Sequence, residues 1–232
     1  MGRTNRWAGV LAVAAVALPL HAQDGRPAIA VLAFENGGSY GQDKETFEAL
    51  EVGLPALLAA TLSTHPGARI IDIGAVRDAM TRQQVGVDQR IDAASATQVA
   101  KAADARYVVT GSFADFYGKF RINARVVDAR SGEIVKVVSN DDAKLQDRAQ
   151  LGAILQLLSE RIVAAVGLPP MPAGEAARYR AVPTEALTQY SRGLMFETRG
   201  NPAKAAEAYR RALTVYPDYT EAHDGLARVR GA

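Results

Sequence analysis

Cysteine is absent from this 232-residue chain. Its absence excludes disulfide bonds, catalysis by a thiolate and a lipid-modified N-terminal cysteine. Histidine is nearly absent as well, since the sequence contains only His21, His65 and His223. His21 lies in a predicted signal peptide, and neither His65 nor His223 has a second histidine or a carboxylate at metal-ligand spacing, so the sequence predicts no metal site.

An excess of charge of one sign is also missing. The chain has 27 basic and 25 acidic residues, which gives a formal net charge of +2. Arg3 and Arg6 account for this excess, because removing them from the 27 basic residues leaves 25 against 25 acidic ones. A chain that is neutral beyond its first residues lacks the basic patch of a nucleic-acid-binding protein, and we expect no nucleic-acid partner.

Residues 1–22 have the pattern of a secretory signal peptide. Arg3 and Arg6 form its positive region, and the apolar run at 7–20 is too short to span a bilayer. Leu20-His21-Ala22 forms a cleavage site whose leucine is larger than usual. A short membrane anchor is the alternative interpretation. We predict a periplasmic protein whose mature chain has no lipid anchor and no membrane span.

The strongest β-strand signal lies at residues 106–138, where β-branched and aromatic residues are concentrated. Tyr117-Gly118-Lys119 and the segment 130–133 have the composition of turns that separate three strands. The alternation of apolar and polar residues over 120–126 predicts one face toward a core and one toward water. Val126 and Val127 interrupt this alternation, which predicts a β-bulge or a strand buried on both faces.

The order strand, helix, strand, helices, three strands, helix predicts an α/β domain at 23–167. We expect an α+β-like mixed sheet with helices in a two-layer or three-layer arrangement. Pro55 should kink or split the first helix, and Asp92 should cap the third. A segment rich in proline, alanine and glycine at 168–182 is predicted to be a linker. The other strands are predicted at 27–34 and 68–73, and the helices at about 47–62, 76–84, 93–103 and 151–166.

Three motifs in this domain resemble a known family. The segments ADARYVVTGS at 103–112 and VVDARSGEIV at 126–135, with AVLAFEN at 30–36, are similar to the CsgG-like family. The likeness covers about 28–166. It implies the fold of that family, which includes the curli secretion component and is related to the N-terminal domain of TolB and to LpoB. The curli component and LpoB are lipoproteins, which carry their lipid on an N-terminal cysteine. This chain has no cysteine and departs from them in this respect.

A different pattern occupies residues 183–232. Small, aromatic and proline residues recur at offsets that resemble a tetratricopeptide (TPR) repeat, which implies two antiparallel helices. Gln189 and Arg192 depart from this family, because large apolar residues are usual at their positions. The pattern restarts at Thr220, so we predict one full repeat and a capping helix. The matching positions are Gly193, Phe196, Gly200, Ala205, Tyr209, Ala212 and Pro217.

The TPR resemblance implies a candidate partner-binding surface. Tyr190, Leu194 and Glu197 would project from the first helix onto the concave face, where members of this family commonly bind peptides. Because the chain has so few repeats, packing of this face inside the protein is the favoured alternative.

A candidate ligand loop lies at Asn36, Gly37 and Gly38. It follows the predicted first strand, at the end where open α/β sheets often bind ligands. The loop lacks the lysine and the spacing of a phosphate-binding P-loop. An ordinary mobile loop is the favoured alternative.

Catalytic motifs are missing from the sequence. Ser112 lies inside a predicted strand and lacks the G-x-S-x-G turn of a nucleophile. Asp141 and Asp142 could in principle do acid–base chemistry, but adjacent carboxylates at a strand end are more typical of a solvated cap. We therefore predict that the protein is not an enzyme and has no catalytic residue and no cofactor.

Three functions remain open from the sequence. The favoured hypothesis is a non-enzymatic, exported protein-binding scaffold or adaptor in cell-envelope assembly or secretion. Its partner would be another envelope protein or peptide, and homo-oligomers are possible. The second hypothesis is an oligomeric outer-membrane secretion channel of the curli type, for which no extra strand pairs of sufficient length are found. The third is a small-ligand-binding or hydrolytic domain that uses the Asn36 loop.

The TPR-like helices should not be stable alone, because a single repeat cannot bury its apolar face. We predict that they dock on the α/β domain, on a second copy or on a partner. A peptide of residues 183–232 should therefore give little helical circular dichroism and no cooperative thermal transition. A stably folded monomeric peptide would contradict this prediction.

Overall fold

The computed structural model describes residues 25–39, 43–86, 91–140, 145–174 and 181–231. The predicted signal peptide and Asp141-Asp142 lie outside these residues. Within them the chain forms a mixed sheet covered by helices on both faces, followed by three helices, which confirms the predicted fold class.

The sheet has six strands, which are β1 (Ala28–Asn36), β2 (Arg69–Ile70), β3 (Tyr107–Phe116), β4 (Lys119–Asp128), β5 (Ile134–Ser139) and β6 (Gln146–Asp147). Their order is β2-β1-β3-β4-β5, and β6 pairs with the first residues of β4. The strand β1 runs parallel to β2 and β3, whereas β3, β4 and β5 are antiparallel. The sheet is therefore mixed, as the sequence predicts.

The helices are α1 (Lys44–Ser63), α2 (Ile73–Arg82), α3 (Ala93–Ala102), α4 (Leu151–Ala165), α5 (Thr184–Thr198), α6 (Pro202–Val215) and α7 (Thr220–Arg230). Helices α1 and α4 cover one face of the sheet, and α2 and α3 cover the other. Along β1, Val31 faces the core under α1 and α4, while Ala30 and Leu32 face the core under α2 and α3. This double burial explains the continuous apolar run of β1. The domain therefore has the three-layer arrangement.

Several local predictions are confirmed. Tyr117 and Gly118 form a two-residue hairpin turn in which both residues have positive φ, between the paired residues Phe116 and Lys119. At Val126 and Val127 the pairing between β4 and β5 changes register, and the two side chains enter opposite cores. The Asp92 side chain accepts a hydrogen bond from the Ser95 N–H and caps α3.

Two local predictions are wrong in extent. The second strand is only Arg69–Ile70 rather than 68–73, because Asp72 caps a helix that begins at once with Ile73. Of the predicted kink or split at Pro55, the split is wrong, since α1 continues through this residue as one helix over Lys44–Ser63, while the kink stays a prediction. Pro55 and the leucines on either side of it are buried, so packing on neighbouring elements compensates for the hydrogen bond that the proline removes.

Helix α1 is long and apolar enough to cross a membrane by length and composition alone. In the fold, however, most of the helix is buried. Its apolar character is therefore accounted for by burial between the sheet, α4 and α5.

The C-terminal helices dock on α1 of the same chain. Gly53 of α1 lies directly against Ser191 of α5, since a Cβ atom placed on Gly53 would be 2.0 Å from the Ser191 Oγ. Leu187 and Tyr190 of α5 belong to the same buried core as α1 and α4. The sequence predicts that these helices dock on the α/β domain, on a second copy or on a partner. In the structure they dock on the α/β domain of the same chain.

Polar contacts hold α5 along its length. Near its start, the Thr184 hydroxyl donates to the Ala149 carbonyl at 2.8 Å. In its second half, Arg192 Nη2 donates to the Thr46 hydroxyl at 3.0 Å, and the Arg192 Nε lies 3.5 Å from Glu45 Oε1. At its end, Arg77 Nη1 of α2 donates to the Thr198 hydroxyl at 3.2 Å.

The α1–α5 contact predicts that Gly53→Ala will destabilise the whole protein. The added methyl group would overlap Ser191, and overpacking costs about 1–3 kcal/mol, whereas the better helix propensity of alanine returns about 1 kcal/mol. We expect a net loss of about 1–2 kcal/mol in the free energy of unfolding, measured by urea denaturation.

The matched control is Gly174→Ala, since a Cβ atom at Gly174 meets nothing within 4 Å. Adding Ser191→Gly to Gly53→Ala should restore part of the loss, because the atoms nearest the new methyl group belong to the Ser191 side chain. Equal effects of the Gly53 and Gly174 substitutions would contradict this account of the contact.

Candidate partner-binding surface

The three predicted partner-binding residues lie on α5 but face different surroundings. Tyr190 is buried, and its ring centroid lies 5.8 Å from that of Tyr209 and 5.3 Å from that of Tyr219. Leu194 is buried beside α1 and α2. Glu197 is half-buried and forms an ion pair with Arg228 within the helical segment. These positions favour the packing alternative for Tyr190 and Leu194, and a role in binding stays a prediction.

Tyr209 is the centre of the helical segment. A Cβ atom on Gly193 or on Gly225 would lie within 2.6 Å of its ring, so α5 and α7 can approach α6 only because both positions lack a side chain. The Tyr209 hydroxyl donates to Glu197 Oε2 at 2.5 Å. Arg228 Nε donates to Glu197 Oε1 at 3.0 Å, which links α7 to α5.

Electrostatics keep this cluster in one protonation state. Burial tends to raise the pKa of Glu197, but the hydrogen bonds from Arg228 and Tyr209 and the charge of Arg228 outweigh it and hold the pKa below its ordinary value. Burial and the hydrogen bond to Glu197 raise the pKa of Tyr209. A protonated tyrosine therefore donates to an ionised carboxylate that is also paired with an arginine.

A groove of about 190 Å³ lies between α1, α5 and α6, and we call it the α1–α5–α6 groove. Both residues that depart from the TPR pattern, Gln189 and Arg192, line it. Lys204 lies over the Phe196 ring with its Nζ 5.4 Å from the centroid. The other lining residues are Glu45, Glu207, Ala208 and Arg211.

Two polar atoms of this groove, Gln189 Oε1 and Arg192 Nε, are buried and have no hydrogen-bond partner among the described residues. A buried polar atom without a partner costs free energy, so the polar side chains at these two positions are not explained by internal hydrogen bonding alone. The groove combines an aromatic ring with charges of both signs, which suits a polypeptide better than a small apolar molecule.

The predicted ligand loop lies at the carboxyl end of β1, as expected, and its polar atoms are engaged within the protein. The Asn36 Oδ1 accepts hydrogen bonds from the Gly38 and Ser39 N–H groups at 3.3 and 2.8 Å. The Gly37 N–H donates to the Phe113 carbonyl at 2.7 Å. This network favours a structural turn, and ligand binding there stays a prediction.

The remaining chemical candidates have structural partners. His65 is buried, accepts a hydrogen bond from the Gly67 N–H at Nδ1 and donates from Nε2 to the Pro169 carbonyl at 2.9 Å. Ser112 lies in β3, as expected. Among the described residues, no group of three or more histidine and acidic side chains could hold a metal ion.

The sequence predicts helix α5 as the partner-binding helix but does not predict that its accessible side is the one lining the α1–α5–α6 groove. The α1–α5–α6 groove depends on α1, which is far from α5 in the sequence, so the helical pattern of residues 183–232 could not locate it. The departures at Gln189 and Arg192 were the available signal, because polar residues at apolar positions indicate that no further repeat packs there.

The comparisons with known proteins support a TPR segment. A tetratricopeptide-repeat family model matches residues 185–229, which include most of α5 and all of α6, so this part of the prediction is confirmed. The match spans a minor part of the chain. Comparison with curated proteins found no match.

Several solved structures are similar to part of this chain. The LpoB C-terminal domain from Escherichia coli is 12% identical, with a TM-score of 0.39 over 49% of this chain and 79% of that one. TolB from Acinetobacter baumannii is 16% identical, with a TM-score of 0.40 over 63% of this chain and 30% of that one. Lipoprotein GNA1162 from Neisseria meningitidis is 17% identical, with a TM-score of 0.37 over 59% of this chain and 96% of that one.

LpoB and TolB are thus among the similar structures, as the sequence resemblance implies. All three TM-scores lie below 0.5, so the functions of these proteins do not transfer to this chain. Membership of the CsgG-like family is not shown by these comparisons and stays a prediction.

The ion pair at Glu197 predicts a specific pH dependence. Because its pKa is lowered in the folded state, Glu197 stabilises the protein above its unfolded pKa of about 4.5, and this contribution disappears as the pH falls through the folded pKa. Glu197→Gln should therefore lose about 1 kcal/mol at pH 7 and show a weaker decline of stability below pH 4.5.

Urea denaturation at pH 7, 5 and 3 measures this effect. Glu207→Gln is the matched control, because Glu207 forms only an exposed i,i+4 pair with Arg211, and it should change stability by a few tenths of a kcal/mol. Parallel pH profiles for the wild type and Glu197→Gln would contradict the prediction.

Proposed function

We propose that this chain is a non-enzymatic protein-binding adaptor of the cell envelope. In this proposal the α/β domain is a scaffold, and the TPR helices together with α1 present the α1–α5–α6 groove to a polypeptide partner. The observation that carries the proposal is the docking of the TPR segment on α1, with Gly53 against Ser191. A rigidly held repeat has a defined orientation, and a pre-organised surface loses less entropy on binding.

The polar character of the groove supports this role. In a repeat array this side of the first helix would pack against an apolar face of the preceding repeat. Here it carries Gln189 and Arg192, and Arg192 is engaged by Glu45 and Thr46 of α1. The expected partner segment supplies an acidic group for Lys204, which lies at the groove surface over the Phe196 ring.

The envelope location in this proposal rests on the signal-like residues 1–22. Positive residues followed by a short apolar run direct export, and the lack of cysteine argues for a protein released from the membrane. Cell fractionation of the full chain, compared with a chain that starts at residue 23, tests this part alone.

Site-specific photocrosslinking in the native host tests partner binding. A photoreactive phenylalanine analogue at Lys204 lies in the groove, whereas the same analogue at Asp224 lies on the exposed side of α7. We expect a discrete adduct with one envelope protein from position 204 and none from position 224. The identified partner should then bind the purified protein, and Lys204→Glu should weaken its affinity at least tenfold.

Two results would overturn the proposal. The first is an exported protein that gives no discrete adduct from any groove position, including Arg211. The second is binding of the identified partner that is unchanged by Lys204→Glu and by Gln189→Leu, because the contact would then lie elsewhere.

A further inference from the structure

A second concave surface lies at the opposite ends of the parallel strands from the Asn36 loop. It is a cavity of about 950 Å³ at the amino ends of β1, β2 and β3, and we call it the amino-end cavity. Its size is at the upper end of the range for small-molecule sites. Five of its lining residues are basic, namely Arg26, Arg69, Lys101, Arg106 and Arg130.

The positive charge of this cavity is only partly neutralised. Asp104 is the one acidic lining residue, and Asp128 lies behind the cavity wall. Leaving Arg26 aside, the four basic residues Arg69, Lys101, Arg106 and Arg130 against these two acidic ones give a formal charge of +2. The chain beyond its first residues is neutral, with 25 basic and 25 acidic side chains, so this charge is a local concentration rather than a general property of the surface.

The arginines of the cavity are held in place by the fold. Arg106 Nη2 lies 2.6 Å from Asp128 Oδ2, and its Nη1 donates to Asp128 Oδ1 at 2.7 Å. Arg69 Nη2 donates to the Asp104 carbonyl at 3.2 Å and lies 3.6 Å from its carboxylate. Each guanidinium has five N–H donors, so these partners use only part of its capacity and fix its position for a further acceptor.

Asp104 has a backbone conformation that its side chain disfavours. It follows the end of α3 with a φ of 53°, in the left-handed region usually occupied by glycine at this position. The carbonyl that results from this turn is the acceptor for Arg69. Lys101 in the last turn of α3 offsets the partial negative charge of the helix end, which would otherwise oppose an anion.

We propose that the amino-end cavity binds a phosphate-bearing anion. Guanidinium groups bind phosphate oxygens in a bidentate manner, and several of them on the walls of one cavity favour a multiply charged ligand. A cavity of this volume accommodates more than one phosphate group, as in a diphosphate or an anionic lipid headgroup. The site is independent of the α1–α5–α6 groove, since the two share no lining residue.

Isothermal titration of the full mature chain with pyrophosphate tests the site. We expect saturable binding that weakens as the salt concentration rises. Lys101→Ala combined with Arg130→Ala should weaken binding at least tenfold without unfolding the protein, because both residues are exposed. The matched control is Arg210→Ala combined with Arg230→Ala, which removes the same charge from exposed positions outside the cavity and should leave the affinity unchanged.

A third variant tests the site in the opposite direction. Asp104→Gly removes the acidic lining residue and relieves the left-handed backbone, so it should bind pyrophosphate more tightly and be at least as stable as the wild type. An equal loss of affinity in the cavity pair and the control pair, or no binding of pyrophosphate and of vesicles, would overturn the proposal.

Vesicle flotation distinguishes the two sources of phosphate. Vesicles with phosphatidylglycerol are compared with vesicles of phosphatidylcholine alone. Retention of the wild type on the anionic vesicles, with loss in the cavity pair only, identifies a lipid headgroup. Pyrophosphate binding without retention on vesicles identifies a soluble phosphate compound.

Discussion

The close contact between α1 and α5 is the constraint on which the rest of this structure depends. Gly53 and Ser191 bring the two helices closer than any larger pair would allow. Helix α1 is thereby buried from two directions. The sheet and α4 cover one side of it, and the TPR helices cover the other. This double burial explains why α1 is apolar enough to resemble a membrane span and why it continues through Pro55.

The same contact changes what the TPR segment can offer to a partner. In α5, Tyr190 and Leu194 are buried within the protein rather than presented on an open concave face. The accessible side of the repeat is instead the one where Gln189 and Arg192 replace apolar residues, next to Glu45 of α1. The docking that stabilises the lone repeat therefore also decides which of its faces remains open.

Local chemistry predicted most of the elements. The turn at Tyr117-Gly118, the cap at Asp92 and the double burial of Val126 and Val127 follow from residue types that act within a few positions. The TPR spacing around Tyr209 was readable because a ring between two glycines requires fixed offsets. The extent of β2 was missed because the helix cap at Asp72 ends the strand early, and the unsplit α1 was missed because packing on both sides of the helix overrides the local signal of a proline.

The two candidate sites were less accessible to sequence reasoning. The amino-end cavity collects basic residues from positions as distant as Arg26 and Arg130, and a neutral net charge conceals such a cluster. The α1–α5–α6 groove likewise needs the placement of α1 before its outline exists. Both sites depend on long-range topology, for which a single sequence carries little direct information.

The distance in sequence between Gly53 and Ser191 also sets an order of events in folding. The sheet, α1 and α4 can assemble before α5 docks, because their contacts require only about the first two thirds of the chain. In that interval the side of α1 that later receives α5 remains uncovered, and such transiently exposed apolar surface favours aggregation. Docking of α5 on α1 joins residues 138 positions apart in the sequence, so it is a contact of high order whose formation covers this apolar surface.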